Sequence, residues 1–143
     1  MRYPLWHVNK AKLNNIEMKE TCRAPIWYSK DIEINDSILN GVKALRECNN
    51  ININKSKINS TEFGWSINNI ELNDSSLVSE YAFMRSNQIK LNNVEFVGKY
   101  SFQYTSNLSI NNSNLKTKDA FWHAENLVIK NSTIEGEYLA WYS

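Results

Sequence analysis

The chain has 143 residues, enough for one domain, and carries 16 Lys+Arg against 15 Asp+Glu for a formal net charge of +1. That balance supplies no basic footprint for nucleic acid or an anionic membrane surface, and no apolar run approaches the length of a membrane-spanning helix. Two cysteines, Cys22 and Cys48, make no disulfide framework, and Met1-Arg2-Tyr3-Pro4-Leu5-Trp6 lacks the apolar stretch of a signal peptide, so a reducing cytoplasm is the expected compartment.

One pattern recurs along the chain: apolar, any, apolar, polar, polar, small or apolar, any, apolar. It occupies residues 11–18, 32–39, 51–58, 70–77, 89–96, 108–115 and 127–134. The first step is 21 residues and every later step is 19, and the extra pair is most simply Cys22 and Arg23. Inside each unit the apolar residues alternate with polar ones, as in Ile70-Glu71-Leu72 and Ile89-Lys90-Leu91, which is the period of a strand. The apolar columns are Leu13, Ile34, Ile53, Leu72, Leu91, Ile110, Ile129 and Met18, Leu39, Ile58, Leu77, Phe96, Leu115, Ile134. Strands stacked once per unit predict an all-β, single-stranded parallel β-helix of about seven 19-residue coils spanning 1–143, with neighbouring coils about 4.8 Å apart. Hexapeptide and pentapeptide solenoids would repeat in multiples of six or five. Nineteen fits neither, which favours a right-handed helix.

Asn is abundant, at 22 residues, while Gly (4) and Pro (2) are scarce. One Asn column runs Asn14, Asn35, Asn54, Asn73, Asn92, Asn111 and ends in Lys130; another runs Asn50, Asn69, Gln88, Asn107, Asn126. Asn tolerates the left-handed backbone conformation, and stacked amides can bond to one another, so both columns are expected to form the bends that Gly would otherwise make.

All five tryptophans fall in one column, five residues before the start of a pattern: Trp6, Trp27, Trp65, Trp122 and Trp141, completed by Arg46, Met84 and Gln103. Arg46 lies one coil from Trp27 and one from Trp65, the spacing for cation–π stacking on both sides. The next column is His7, Tyr28, Glu47, Ser66, Arg85, Tyr104, His123 and Tyr142. Two adjacent columns cannot both face outward on a straight strand, but at a corner they can. If both do, Trp27, Tyr28, Arg46, Glu47, Trp65, Arg85, Tyr104, Trp122, His123, Trp141 and Tyr142 form a ligand-binding strip suited to a glycan or a protein. If one packs inward, the aromatics are a structural ladder. The column Leu5, Ile26, Leu45, Phe83, Phe102, Phe121 reads as core.

The same alignment weighs against catalysis. His7 and His123 share a column six coils apart, and Cys48 lies far from both, so neither a histidine pair nor a Cys–His nucleophile forms. Metal-ligand spacings are absent, and no metal or cofactor is expected. Glu33 and Glu71 share a column, as do Asp36 and Asp74, each pair two coils apart. Lys12, Lys90 and Lys55 sit one coil from these acids, with Glu80 beside Lys99 and Lys118 beside Glu137, which points to surface charge ladders.

The segments Arg2-Tyr3-Pro4-Leu5-Trp6-His7, Lys43-Ala44-Leu45-Arg46-Glu47-Cys48, Phe63-Gly64-Trp65, Gly98-Lys99-Tyr100-Ser101-Phe102-Gln103-Tyr104, Lys118-Asp119-Ala120-Phe121-Trp122-His123 and Gly136-Glu137-Tyr138-Leu139-Ala140-Trp141-Tyr142 resemble a mainly bacterial family of unknown function grouped with the pectate-lyase-like β-helices. The resemblance covers essentially the whole chain and implies the right-handed β-helix fold. It brings no assigned activity or catalytic residues. Members of that family are longer, with further coils on both sides, whereas Met1 and Ser143 fall inside coils. The domain is therefore expected to be incomplete at both ends, with end-to-end self-association through uncapped coils. The functional expectation is a non-catalytic binding or scaffold module; the alternative is a carbohydrate-active enzyme of the polysaccharide-lyase or glycoside-hydrolase kind, inactive in this fragment.

Overall fold

The computed structural model describes residues 5–137. Its strands are β1 (Asn9–Asn14), β2 (Glu17–Met18), β3 (Lys30–Asn35), β4 (Ile38–Leu39), β5 (Asn49–Asn54), β6 (Lys57–Asn59), β7 (Asn68–Ser79), β8 (Asn87–Tyr100), β9 (Ser106–Asn111), β10 (Asn114–Lys118), β11 (Glu125–Lys130) and β12 (Thr133–Glu135). No helix occurs among the described residues, and therefore none long and apolar enough to cross a membrane. All strand pairs are parallel, and from β3 onward partners are almost everywhere 19 residues apart, as in Ile32↔Ile51, Ile51↔Ile70, Ile70↔Ile89 and Ile89↔Leu108. The chain is a β-solenoid of about seven coils, as the repeat predicts.

Alternation places the apolar columns inside. Ile34, Ile53, Leu72, Leu91 and Ile110 are fully buried, as are Leu39, Leu77 and Phe96 to within a per cent. Phe83, Phe102 and Phe121 stack along the axis with centroids 5.2 and 5.0 Å apart. Their column is broken by Gly64, whose φ is +70° and where a Cβ would lie 2.9 Å from the Phe83 ring. The preceding residue, Phe63, meets the edge of Phe83 at 5.4 Å and is fully buried.

The bends are made differently from the sequence expectation. The second Asn column does take the left-handed conformation, with φ of 56° at Asn50, 72° at Asn69, 58° at Asn107 and 56° at Asn126. The first does not. The left-handed residue there is the next one along: Asn15, Asp36, Lys55, Asp74, Asn93, Asn112 and Asn131. Two further left-handed columns run through every coil without Asn, one from Leu5 through Ile26 and Phe83 to Phe121, the other from His7 through Tyr28 and Arg85 to His123, and a partial one comprises Ala24, Lys43 and Asp119. Each such residue interrupts the in–out alternation of a strand.

The first Asn column instead forms a continuous amide ladder. Each Nδ2 donates to the Oδ1 one coil earlier, from Asn111 through Asn92, Asn73, Asn54 and Asn35 to Asn14, at 2.8–3.2 Å. A Ser column, which the sequence pattern shows only as small residues, forms a second ladder inside. Ser37, Ser56, Ser75, Ser113 and Ser132 each accept a backbone N–H from the coil before, at 3.0–3.2 Å. Each of these hydroxyls donates to the carbonyl two residues earlier in its own coil. The extra pair of residues also lies elsewhere than expected. Met18 pairs with Leu39 and Arg23 with Val42, and the Cys22 N–H donates to Lys19, so the excess loops out between Met18 and Cys22.

Ser56 tests the inner ladder, because Ser56→Ala leaves the buried Ser37 N–H without an acceptor. The expected loss is about 1–3 kcal/mol of unfolding free energy, read from the midpoint of urea denaturation at unchanged slope.

Candidate functional site

The corner between residues 26 and 28, repeated every coil, settles how the Trp column and its neighbour are oriented. Ile26 and Tyr28 are both left-handed, with φ of 58° and 55°. Ile26 is fully buried, Trp27 half-buried, and Tyr28 40% exposed. The same sequence of burial holds at Leu45-Arg46-Glu47, Phe83-Met84-Arg85, Phe102-Gln103-Tyr104 and Phe121-Trp122-His123. Both columns therefore reach the surface along one edge, with the Trp column lying lower.

The Trp column is also a structural ladder. Trp6 and Trp27 are parallel within 4° at 5.4 Å. The Arg46 guanidinium lies 4.8 Å from the Trp27 ring and 4.7 Å from the Trp65 ring, the sandwich that the spacing predicts. Backbone pairing of Trp27 with Arg46 and of Arg46 with Trp65 holds the register. Three indoles are pinned through their N–H groups: Trp27 Nε1 donates to Lys43 O at 2.7 Å, Trp6 Nε1 to Ala24 O at 2.8 Å, and Trp65 Nε1 to Tyr81 O. Gln103 makes the same 16-residue link, Nε2 to Asp119 O at 2.7 Å, so an amide replaces an indole in the column. The outer column carries its own stacks, His7 on Tyr28 at 5.2 Å and Tyr104 on His123 at 4.7 Å.

The strip thus brings together Trp27, Tyr28, Arg46, Glu47, Trp65 and Arg85 on adjacent coils, with Tyr104, Trp122 and His123 further along the same edge. Trp141 and Tyr142 lie outside the described residues. Two concavities flank the Arg46 sandwich. One of about 410 Å³ is lined by Arg46, Glu47, Trp65, Ser66, Met84 and Arg85. The other, of about 340 Å³, is lined by Trp6, Arg23, Ala24, Trp27, Val42 and Lys43. Arg23 and Val42 share one column and Lys43 lies in the next; none was among the binding residues read from the sequence, because the closeness of these columns to the Trp edge follows from the corner.

The acids are engaged elsewhere. Lys12–Glu33 at 3.9 Å realises one rung of the expected charge ladder, and Lys43–Glu62 at 3.5 Å is a second ion pair. Glu71 and Lys90 are register partners without an ion pair. Two acids of the expected ladders instead accept Asn amides, Asp74 from Asn93 and Glu71 from Asn92, and so do Asp31 from Asn50 and Glu95 from Asn114, at 2.8–3.4 Å. Among the described residues no three His, Cys, Asp or Glu side chains converge as metal ligands would. Cys48 stands in a hydroxyl column with Ser29 and Ser86, its thiol donating to Ile26 O and Arg46 O. Burial pushes that thiol up from 9.0 to about 11.

A parallel β-solenoid with a stacked aromatic edge and carboxylates tied into amide ladders is the class of protein defined by these features. The chain belongs to the family described as "Protein of unknown function (DUF3737)", which it matches over residues 1–143. No curated protein matches it.

Two tests follow. Arg46→Lys keeps the charge but loses the planar group between the indoles, and should cost about 1–2 kcal/mol in chemical denaturation with a shifted tryptophan emission. Between pH 9 and 11 the folded Cys48 thiol holds its proton while the unfolded one releases it, so stability should fall as pH rises through that window. Cys48→Ser should remove that part of the alkaline slope in denaturation midpoints measured against pH.

Proposed function

We propose that this chain is a non-catalytic β-solenoid scaffold whose aromatic edge docks a protein partner. The observation that carries the reading is the orientation of the rings. Within each column the rings stack face to face, Trp6 on Trp27, His7 on Tyr28 and Tyr104 on His123, while Tyr28 stands edge-on to Trp6 and Trp27, so the stacked faces are covered by neighbouring rings. A sugar ring stacks on an aromatic face, and a spacing near 5 Å leaves no room to insert one. Ring edges, a tyrosine hydroxyl and in-plane guanidinium donors are what a polypeptide surface uses, and Tyr, Trp and Arg are the residues enriched at the centres of protein interfaces. Tyr28 and Tyr104, 40% and 56% exposed, are the most prominent of them.

The alternative, a carbohydrate-active enzyme like the pectate-lyase-like β-helices the sequence resembles, calls for acids gathered in one groove. The amide ladders that hold Asp31, Glu71, Asp74 and Glu95 weigh against it. Two unpaired thiols, Cys22 and Cys48, support a reducing compartment.

A photo-crosslinking amino acid placed at Tyr104, with a control at the exposed Lys90 on the strand face, tests the docking edge in source-cell extract. The expected result is one partner species captured from position 104, competed by unlabelled chain and absent from position 90. Equal capture from both positions, or saturable binding on a glycan array in its place, would overturn the proposal.

A further inference from the structure

We infer that the concavity over Ser66 is a carboxylate-binding position that receives a Glu side chain of the docked partner; this rests on the scaffold reading above. Glu47, Ser66 and Arg85 occupy one outward column on three successive coils, so Glu47 and Arg85 are about 10 Å apart along the axis. Ser66 is the small residue between two long ones, and it opens the notch. The Trp65 ring and the Met84 side chain line the same space.

Arg46 enters from the lower column. Two pinned indoles cover both of its faces, which fixes the guanidinium plane and leaves only its in-plane N–H groups to bond outward. Among the described residues those N–H groups have no hydrogen-bond or ion-pair partner, and the same is true of the Arg85 guanidinium. Arg85, exposed on the outward column beside Ser66, supplies the fork that matches the two oxygens of a carboxylate, while Arg46, in the coil of Glu47 and with Trp65 over its near face, adds positive charge at the lower end. Glu47 sharpens the choice. Its negative charge at the lower end opposes a phosphate dianion, while it can accept a peptide N–H beside a bound monoanion. Trp65 and Met84 offer apolar wall for the methylenes of a Glu side chain.

The test is a titration of the ¹⁵N-labelled chain with blocked Ala-Glu-Ala, its Ala-Gln-Ala counterpart and a uronate-containing oligosaccharide, following the Arg Nε–H, Trp indole and Ser66 amide signals. The expected result is saturable shifts at Arg46, Arg85 and Ser66 with the Glu peptide. Affinity should be weaker by at least about tenfold with the Gln peptide, and by about tenfold in Arg85→Gln. The exposed position of Arg85 lets that variant keep the native amide spectrum. Equal shifts with both peptides, no saturation, or saturation by the oligosaccharide alone would overturn the inference. Capture from position 104 that persists while the Glu peptide fails removes this inference and leaves the scaffold reading standing.

Discussion

Four backbone positions in every coil, joined in three coils by Ala24, Lys43 or Asp119, hold φ in the left-handed region, and everything else in the structure depends on them. For residues with a Cβ that conformation costs about 1–2 kcal/mol each. It is taken here by Ile26, Phe83, Arg85 and Lys55 as well as by Asn. The cost is tolerable because each such residue hands its backbone groups to the coils on either side: Tyr28 N–H to Arg46 O, Glu47 N–H to Trp65 O, Asp36 N–H to Asn54 O. Conformation at the corner and pairing between coils are one constraint. A coil that relaxed its corner would lose register with both neighbours.

The polar side chains obey the same constraint. Asn amides run up the outside, Ser hydroxyls up the inside, and every buried side-chain N or O among the described residues has a partner. An amide both donates and accepts, so identical residues can stack without limit, whereas like charges stacked at that spacing repel. This is why Asn also captures acids of the charged columns. A fixed amide is a better neighbour for Asp74 or Glu95 than a long lysine that must surrender its rotamer freedom and hydration. Carboxylates held in this way are tied to the neighbouring coils, which supports the proposed reading of the edge as a docking surface.

Much of this was legible in the residues. A spacing of 19 gave the register, alternation gave the core, and the placement of Arg46 between Trp27 and Trp65 gave the sandwich, because each follows from position alone. One left-handed column was legible in its Asn residues, but two others were hidden, since no residue type marks them: Phe, Leu and Ile fill one, and His, Tyr, Glu, Ser and Arg another. The inner Ser ladder was hidden because a serine directly after Asp, Lys or Asn reads as surface until the coil closes over it. The looped-out residues after Met18 were misplaced by one strand end, because alignment by pattern cannot tell a turn at Lys19 from an addition at Cys22. Whether the Trp column faced in or out could not be decided until the corner was known, and the answer is both: indole N–H groups directed to the backbone, rings partly exposed at the surface.

The loop between Met18 and Cys22 carries a lesson about how such a molecule can change over evolutionary time. It adds length at a rim while the strands before and after it keep their partners. Because contacts run only from one coil to the next, in-frame duplication or deletion of a whole 19-residue unit would lengthen or shorten the rod by one rung and heal its own junction. A change of any other size must be absorbed as a bulge at a turn. The repeat is thus a unit of inheritance as well as of structure, and the length of the aromatic edge is set by how many copies a gene retains.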